Sequence, residues 1–370
     1  MPPRPHLALP SPGSRRAVVV GAGSFGTATA VLLARGGFRT TLQTRTGEQA
    51  ALLDRDRENR VYLEGVELPR DLRIEPVSEG LARADYVFLG VPSRGLEAII
   101  RGLPEAGLGR RAPVISLAKG LVAPDGTAPT VLLTAALGSS RVACVGGPAH
   151  AREMVTEGAG LVAASLDEQL ASTIANVFMR AGVVCERSSD PVGVELAGVA
   201  KNAAALAAGA TEAVGLNAAG AAAGHIFQEV WRYAERQGAR PESMIGLAGT
   251  GDLVGTALAP QSRNRRAGEL LAQGVPAAEI PDRIGQAVEA LDVVPLLAQA
   301  LERAGVEAPV TDALRRLIAG ELPLDAWVAQ VRATLPPAPA RFGPRGAGRR
   351  AWERTRAWFR RRTRQRSTLA

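Results

Sequence analysis

The sequence predicts an α/β protein with an N-terminal Rossmann-type parallel-sheet domain followed by an all-α C-terminal domain. Over the first half of the chain, short stretches rich in Val, Leu and Ile alternate with amphipathic segments, which is typical of βαβ units. After about residue 190, long Ala- and Leu-rich periodic runs with Gly and Pro stops replace them, which indicates helices. A glycine-rich loop lies between the first apolar stretch and the first amphipathic segment.

The predicted elements follow the chain in order. Strands are predicted at Ala17 to Gly21, Thr40 to Gln43, Tyr86 to Val91, Val114 to Leu117 and Val142 to Val145. Amphipathic helices are predicted at Gly26 to Arg35 and Gly95 to Gly102. Two further strands, Gly160 to Ala164 and Gly182 to Cys185, flank a helix at Leu166 to Ala181. From Pro191 to Thr334 only helices are predicted, so the domain boundary is expected near Ser188 to Asp190.

The chain of 370 residues, 46% of them hydrophobic, is long enough for two folded domains. We expect a disordered N-terminus over residues 1–15, a dinucleotide-binding domain over 16–189, a helical substrate and catalytic domain over 190–334, and a Pro/Arg-rich basic tail over 335–370. Neither a signal peptide nor a membrane span is predicted, because the apolar runs are too short or are interrupted by polar residues.

The cysteine content is low. Cys144 and Cys185 both lie in apolar segments, and neither has the His or Cys neighbours that a zinc site needs. We therefore expect buried free thiols, no metal site and a reducing cytoplasm.

The net charge of +8 is unevenly distributed. Residues 341–370 contain eleven arginines and one acidic residue, Glu353, which gives this part +10 and leaves −2 for the rest. Trp352, Trp358 and Phe359 stand among the arginines, a pattern typical of a basic amphipathic helix. Three interpretations stay open: attraction to anionic lipid, nonspecific contact with nucleic acid, and a solvated extension without a specific partner.

The stretch VVVGAGSFGTATA, residues 18–30, contains the pattern G-x-G-x-x-G between a predicted strand and a predicted helix. Gly21 would permit the tight turn, Gly23 the approach of a pyrophosphate, and Gly26 the close packing of helix and strand. The helix N-terminus supplies free N–H groups and the positive end of its dipole. This context favours dinucleotide binding over a plain strand-turn-helix.

The end of the second strand bears on the choice of dinucleotide. An acidic residue there binds the ribose hydroxyls of NAD, whereas this chain has Gln43, Thr44 and Arg45. An arginine can pair with the 2′-phosphate of NADP through charge-assisted hydrogen bonds. The sequence therefore favours NADP, or use of both NADP and NAD, with a solvated loop arginine as the alternative for Arg45.

Residues suited to catalysis stand in three further motifs: SLAKGL with Lys119, GVELAGVAKNAAALAAG with Lys201, and GLAGTGDLVGTALAPQSRNRRAG with Asp252 and Arg263. Lys119 follows a predicted strand at its carboxyl end, where parallel sheets bind ligands. The chain has only two lysines among 44 basic residues, which suggests a need for a compact ammonium group whose pKa can shift. For Lys201 alone, a surface or snorkelling lysine is the alternative.

Together these motifs resemble the bacterial NAD(P)-dependent sn-glycerol-3-phosphate dehydrogenases. The likeness covers roughly residues 16 to 333 in one order: GAGSFGTA, DRENRVYLEGVELP, VPS, AKGL, GGPAHARE, GVELAGVAKN, GLAGTGDLV, SRNRRAG and IGQAVEA. It implies reversible reduction of dihydroxyacetone phosphate to sn-glycerol 3-phosphate, which supplies glycerophospholipid synthesis. It also implies NADP or NAD as cofactor, a cytoplasmic location and a homodimer.

The resemblance also implies roles for single residues. Lys201 is the implied proton donor to the substrate oxygen, with Lys119 and Asp252 as further catalytic residues. The implied substrate-binding residues are Lys119, Gly147, Ala149, Asn202, Asp252, Thr256, Ser262, Arg263 and Asn264. The implied cofactor-binding residues are Gly21, Gly23, Ser24, Phe25, Gly26, Arg45, Tyr62, Pro92, Lys119, Ala151, Arg263, Ala287 and Glu289.

The chemistry fits these roles, because hydride addition to a carbonyl produces an alkoxide that a cationic donor stabilises and protonates. We expect Asp252 to hold Lys201 and keep it charged, and Lys119 to lower the pKa of Lys201 if the two ammonium groups are close.

The chain departs from the family pattern at three places. S-G-P-S-F-A has become GGPAHA, so Ala149 lacks a serine hydroxyl; T-R-G has become Gly224, His225 and Ile226; and V-E-G ends in Ala290. These changes leave open a weaker affinity for dihydroxyacetone phosphate or a pocket for another phosphorylated carbonyl compound. His150 and His225 are candidate replacement donors. The alternative outside the class of enzymes is a catalytically weak dinucleotide-binding protein that is localised by its tail. The two retained lysines argue against it.

Overall fold

The structure is a computed structural model that describes residues 15–259 and 261–334. The predictions for residues 1–14 and for the tail from residue 335 lie outside the described residues. Arg15 is described, and its carbonyl accepts a hydrogen bond from the N–H of Arg39, so it takes part in the hydrogen bonding of the sheet. The described residues up to Arg332 form one compact unit, and the domain boundary near Ser188 to Asp190 stays a prediction.

The strands of the described chain follow the predicted alternation. They are β1 (Arg16–Val20), β2 (Arg39–Thr44), β3 (Glu58–Asn59), β4 (Leu63–Glu67), β5 (Arg73–Pro76), β6 (Tyr86–Leu89), β7 (Val114–Ser116), β8 (Val142–Gly146), β9 (Gly160–Ala164) and β10 (Val184–Ser188). Among the described residues, eight of them form one sheet in the order β10-β9-β8-β7-β6-β1-β2-β5, and β3 pairs with β4 in a separate hairpin.

Neighbouring strands of the large sheet are parallel, except for β8 and β9, which pair antiparallel. The connection between those two strands contains only a helix of six residues, Ala151–Thr156, and it reverses the direction of the chain. The sheet is therefore mostly parallel, with one exception that the alternation of strands and helices did not predict.

Six helices belong to the sheet half of the chain. They are α1 (Ser24–Arg35), α2 (Gly47–Asp56), α3 (Ser93–Gly102), α4 (Pro129–Leu137), α5 (Ala151–Thr156) and α6 (Glu168–Arg180). Along β1, Val19 packs into one core with residues of α1 and α6, while Val18 packs into another with residues of α3 and α4. Because both faces of the sheet are covered, β1 is an almost unbroken apolar run rather than an alternating one.

The described residues beyond β10, up to residue 334, are helical, as predicted. Its helices are α7 (Pro191–Thr211), α8 (Leu216–Arg236), α9 (Pro241–Ile245), α10 (Asp252–Leu258), α11 (Arg263–Ala272), α12 (Ile280–Ile284), α13 (Glu289–Arg303), α14 (Pro309–Ile318) and α15 (Leu324–Ala333). α7 is buried over almost its whole length and shares one core with α8, α11 and α13. Its many alanines allow these neighbours to pack closely around it, which explains its nearly uniform apolar sequence. None of the helices in the described ranges has the length and apolarity that a bilayer crossing requires.

Candidate active site

The glycine loop joins β1 to α1 with the geometry that the sequence predicts. Gly21 has a φ of +107°, and a Cβ atom there would lie 2.6 Å from the carbonyl oxygen of Gly90. A Cβ atom on Gly26 would lie 2.1 Å from the carbonyl oxygen of Gly21. Side chains are therefore excluded at both positions, because the turn needs a left-handed residue and because helix, loop and β6 are in close contact.

The space in front of α1 fits the pyrophosphate of a dinucleotide. A Cβ atom on Gly23 would meet nothing within 4 Å, so the chain leaves open space at the first turn of the helix. Among the described residues, no side chain caps this N-terminus. The free N–H groups and the helix dipole make it a binding site for an anion.

Asn59 supports the glycine loop from the β3–β4 hairpin. Its buried side-chain Nδ2 donates hydrogen bonds to the carbonyl oxygen of Ala22 at 3.0 Å and to Oγ1 of Thr27 at 2.8 Å. The sequence analysis gave Asn59 no role, although it lies in the motif DRENRVYLEGVELP. A short polar hairpin carries no strong strand pattern, so its contact with the loop became visible only in the structure.

The end of β2 leaves one side chain free for an adenosine ribose or its phosphate. Gln43 is buried and donates from Nε2 to the carbonyl oxygen of Gly80 at 2.8 Å, and the Thr44 hydroxyl donates to the carbonyl oxygen of Thr46 at 2.8 Å. Arg45 is exposed directly after the strand. Of the three residues considered for the cofactor, only Arg45 therefore presents its polar end to solvent.

Two lysines and one carboxylate meet at the carboxyl end of the sheet. Nζ of Lys119 lies 2.6 Å from Oδ2 of Asp252 and also donates to the carbonyl oxygen of Gly147 at 2.8 Å. Nζ of Lys201 lies 3.5 Å from Oδ1 of the same carboxylate and donates to Oγ1 of Thr256 at 3.4 Å. All three charged side chains are largely buried, with 14% of Lys119, 12% of Lys201 and 5% of Asp252 exposed.

Burial and neighbouring charges shift the pKa values of Lys201 and Asp252. Burial lowers the pKa of Lys201, the positive charge of Lys119 lowers it further, and the carboxylate of Asp252 opposes both effects. For Asp252, burial would raise the pKa of the carboxyl group, but the two lysines outweigh it and hold that pKa below its usual value. The interaction that the sequence analysis expected between the two lysines is therefore present.

A cavity of about 190 Å³ lies over this group and beside the glycine loop. Its described lining comprises Ser24, Phe25, Leu117, Lys119, Ala149, His150, Ala151, Lys201, Asn202, Thr256, Gln261, Ser262, Arg263, Asn264 and Glu289. Twelve of these fifteen belong to the residues implied by the sequence motifs; Leu117, His150 and Gln261 are the others. Of the two candidate replacement donors, His150 thus lines the cavity and His225 does not.

Asn202, Asn264 and Glu289 form a network behind the cavity. Nδ2 of Asn202 donates to the carbonyl oxygen of Lys119 at 2.9 Å and to Oε2 of Glu289 at 3.2 Å. Nδ2 of Asn264 donates to Oδ1 of Asn202 at 2.8 Å, and its Oδ1 accepts from the N–H of Ala290 at 3.2 Å. These amides connect α7, α11 and α13 around the lysines.

Arg263 is held at the exposed rim by residues before α13. Its Nη1 donates to Oε1 of Gln286 at 3.2 Å and to the carbonyl oxygen of Ala287 at 3.1 Å. Nε2 of Gln286 in turn donates to the carbonyl oxygen of Val61 in the β3–β4 hairpin at 3.1 Å. Gln286 was not among the residues assigned a role, although it lies in the motif IGQAVEA.

The remaining predicted residues are not part of the described cavity lining. Gly147 and Asp252 contact the lysines from behind, and Ala287 contacts Arg263. Pro92 stands at the N-terminus of α3, and Tyr62 lies in the β3–β4 hairpin.

Both cysteines are buried and free, as predicted. Within the described ranges, no group of three or more His, Cys, Asp or Glu side chains is placed to hold a metal ion.

A dinucleotide loop, a buried lysine pair at the carboxyl end of a mostly parallel sheet and a following helical part define the class of dinucleotide-dependent dehydrogenases. The chain belongs to the NAD-dependent glycerol-3-phosphate dehydrogenase family. The model of the family's N-terminal part matches residues 16–171, and that of its C-terminal part matches residues 190–329.

Relatives and solved structures agree with this membership. The chain is 40% identical over 310 residues to glycerol-3-phosphate dehydrogenase [NAD(P)+] from Deinococcus radiodurans, covering 82% of this chain and 90% of that one. It is 33% identical over 307 residues to the protein of the same name from Chlorobium limicola, covering 81% and 92%. The crystal structure of glycerol-3-phosphate dehydrogenase from Coxiella burnetii matches with a TM-score of 0.81 at 28% identity, covering 87% of this chain and 100% of that one.

Proposed function

We propose that this protein is an NAD(P)-dependent glycerol-3-phosphate dehydrogenase that interconverts dihydroxyacetone phosphate and sn-glycerol 3-phosphate. The observation that carries the proposal is one cavity lined by Lys119, Lys201 and Arg263 and lying beside the open N-terminus of α1. It combines a proton donor, a phosphate-binding cation and a place for a dinucleotide. The names of the relatives support the same activity.

In the reduction, bound nicotinamide supplies a hydride to the carbonyl carbon of the substrate. Lys201 stabilises the negative charge that develops on the carbonyl oxygen and delivers a proton to it from Nζ. The lowered pKa of Lys201 makes that proton easier to release, and Asp252 keeps the ammonium group charged until the reaction requires the proton. In the oxidation, neutral Lys201 removes the proton from the hydroxyl group.

We assign the binding of the substrate phosphate to Arg263 and its neighbours in the cavity lining. Arg263 presents a guanidinium at the rim, where Gln286 and Ala287 fix its direction, and this fork suits the oxygens of a phosphate. Both side-chain groups of Asn264 are engaged with Asn202 and Ala290, so we assign Asn264 the positioning of α7 against α11 in addition to phosphate contact. Thr256 and Ser262 line the cavity beside them.

The first experiment follows oxidation of NADPH and NADH with dihydroxyacetone phosphate in the wild type and in Arg263→Ala. We expect reduction by the wild type, and a KM for dihydroxyacetone phosphate about 10- to 100-fold higher in the variant, since a charged hydrogen bond contributes about 1.5 to 3 kcal/mol. If the wild type binds dinucleotide and leaves this substrate unreduced while it reduces another phosphorylated carbonyl compound, the assigned substrate is wrong.

We further propose that NADP is preferred over NAD. Arg45 is the exposed cation at the end of β2 and can pair with the 2′-phosphate of NADP. Replacement Arg45→Asp should raise the KM for NADPH about 10-fold or more and lower the KM for NADH, as an acid suits the ribose hydroxyls. Arg39→Asp, at the exposed start of the same strand, is the matched control. If the ratio of the KM for NADPH to the KM for NADH is the same in both variants, the assignment is contradicted.

We also propose a cytoplasmic homodimer whose basic tail contacts anionic membranes. The membrane proposal has support in the charge of +10 over residues 341–370 and in the aromatic residues among the arginines. Cosedimentation with anionic vesicles should pellet the full chain and leave a chain truncated after Leu335 in solution; equal pelleting would overturn the proposal. Light scattering after gel filtration measures the oligomeric state.

A further inference from the structure

A buried glutamate outside the cavity joins α7 to α4. Glu195 is 3% exposed, and its two carboxylate oxygens each lie 3.1 Å from the backbone N of Thr130. The hydroxyl of Thr130 donates to Oε2 at 2.6 Å. Thr130 lies in the first turn of α4, so the carboxyl group of Glu195 satisfies a free N–H group at the positive end of the helix dipole. Burial raises the pKa of Glu195 to about 8, and the hydrogen bonds from Thr130 oppose this effect.

The segment held by Glu195 is the one that carries Lys119. After β7 the chain passes through Lys119 and reaches Thr130 eleven residues later. Residues 195, 198 and 202 are three and four positions apart, so they lie on one face of α7. On that face, Nδ2 of Asn202 donates to the carbonyl oxygen of Lys119 at 2.9 Å, and a Cβ atom on Gly198 would lie 3.3 Å from Cβ of Lys119. One face of α7 thus holds residues 119–130 at both ends.

The same contact occurs a second time, away from the cavity. Glu229 on α8 is buried and accepts hydrogen bonds from the N–H groups of Val310 and Thr311 at 3.0 and 2.9 Å. The hydroxyl of Thr311 donates to it at 2.6 Å. The helix that begins there, α14, carries none of the residues implied for the site. The two glutamates therefore form a matched pair that differs in what the capped segment carries.

We propose that Glu195 is a positioning residue for Lys119: by holding the N-terminus of α4 against α7, it fixes the ammonium group of Lys119 on Asp252 and thereby the arrangement around Lys201. The predicted effect on kcat rests on the proposed function, whereas the predicted effect on the position of Lys119 does not. The 2.6 Å contact between Lys119 and Asp252 leaves little room for displacement, and a shift of about 1 Å in a catalytic arrangement can cost about 10²-fold in rate.

Glu195→Gln and Glu229→Gln provide the test. In each variant an amide NH₂ group replaces an accepting oxygen beside donors, so both should unfold at a lower temperature than the wild type. We expect only Glu195→Gln to lower kcat per folded enzyme, by about 10-fold or more. Glu229→Gln should keep kcat within about 2-fold, because the helix that Glu229 caps, α14, carries none of the residues implied for the site.

The scarcity of lysine provides a readout that needs no substrate. Because the chain has only two lysines, isotope-labelled lysine gives side-chain NMR signals from Lys119 and Lys201 alone. Glu195→Gln should shift the Lys119 signal, and Glu229→Gln should leave both signals in place. The variant Lys119→Arg assigns the two signals.

Variants of the two threonines keep the test conclusive if Glu195→Gln does not fold. Thr130→Val removes the hydroxyl and should reproduce the effect on the lysine signals more weakly, while Thr130→Ser keeps the hydroxyl and should restore the wild-type spectrum. Thr311→Val is the control at the other glutamate.

The inference is overturned if Glu195→Gln and Glu229→Gln lose stability but both keep the wild-type lysine signals and kcat. A wild type without activity on dihydroxyacetone phosphate, combined with a lysine shift in Glu195→Gln alone, would remove the proposed function and leave this positioning role intact.

Discussion

Lys119 and Lys201 contact the two oxygens of the same carboxylate in different ways. Lys119 approaches Asp252 to 2.6 Å and has a second bond to the carbonyl oxygen of Gly147, whereas Lys201 is 3.5 Å from Asp252 and 3.4 Å from the hydroxyl of Thr256. Lys119 is thus tightly bound, and Lys201 has long contacts that a substrate oxygen can replace. The difference supports the proposed roles, with Lys119 as the support of Asp252 and Lys201 as the proton donor.

The largest effects on kcat are expected when each lysine is removed in turn. Lys201→Ala should lower kcat by about 10²- to 10³-fold, because the developing charge on the substrate oxygen loses its donor. Lys119→Ala should have a smaller effect, about 10- to 100-fold, since it removes a support of Asp252. Steady-state rates of NAD(P)H oxidation measure both, with the temperature of thermal unfolding as the control for folding. A larger loss in Lys119→Ala would reverse the assigned roles.

Asp252→Asn should lower kcat by about 10²-fold, less than Lys201→Ala. The amide cannot offset the positive charges of two buried lysines, and breaking a buried ion pair costs about 3 to 5 kcal/mol of stability. Thermal unfolding at several pH values checks the second point. Because the pKa of Asp252 is lowered in the folded protein, its contribution to stability is present above the usual pKa of the carboxyl group and is lost as the pH falls through the lowered value.

A moderate effect is expected on the pH dependence of the reduction rate, which should distinguish the two lysines. Reduction requires protonated Lys201, so its rate should fall as the pH rises through a pKa that lies below the usual 10.5 of lysine. Lys119→Gln removes a like charge and should move this limb to higher pH, and Asp252→Asn should move it to lower pH. Profiles of kcat/KM that keep the limb in place in both variants would contradict the coupling.

The smallest effect is expected from Thr256, the second partner of Lys201. Thr256→Val loses two hydrogen bonds of 3.4 Å, one from Lys201 and one to Asp252, so we expect a decrease of kcat by about 2- to 10-fold. Thr256→Ser keeps the hydroxyl and should behave like the wild type. Equal losses in the two variants would place the role of Thr256 in packing rather than in orienting Lys201.

Several features of the fold could be predicted because their signals are local. The apolar stretch before Gly21 predicted β1, and the amphipathic segment after it predicted α1. The change near Ser188 to Ala- and Leu-rich periodic runs predicted the helical part. The hairpin β3–β4 and β5 were missed, since these strands are short and mostly polar, and β5 pairs with β2 rather than with its neighbour in sequence. The antiparallel pairing of β9 was missed for a similar reason: alternation of elements does not report the direction of a strand.

The sequence by itself determined which residues are chemically available: three glycines at fixed spacing, two lysines in an arginine-rich chain, and the motif order that indicates the family. Tertiary structure decided which of them meet. Lys119 and Asp252 are 133 positions apart and become partners only because β7 ends beside α7 and α10. It also decided that Glu195 and Gln286 support Lys119 and Arg263. Local patterns report turns and periodic burial, whereas contacts between distant elements depend on how the sheet and the helices pack.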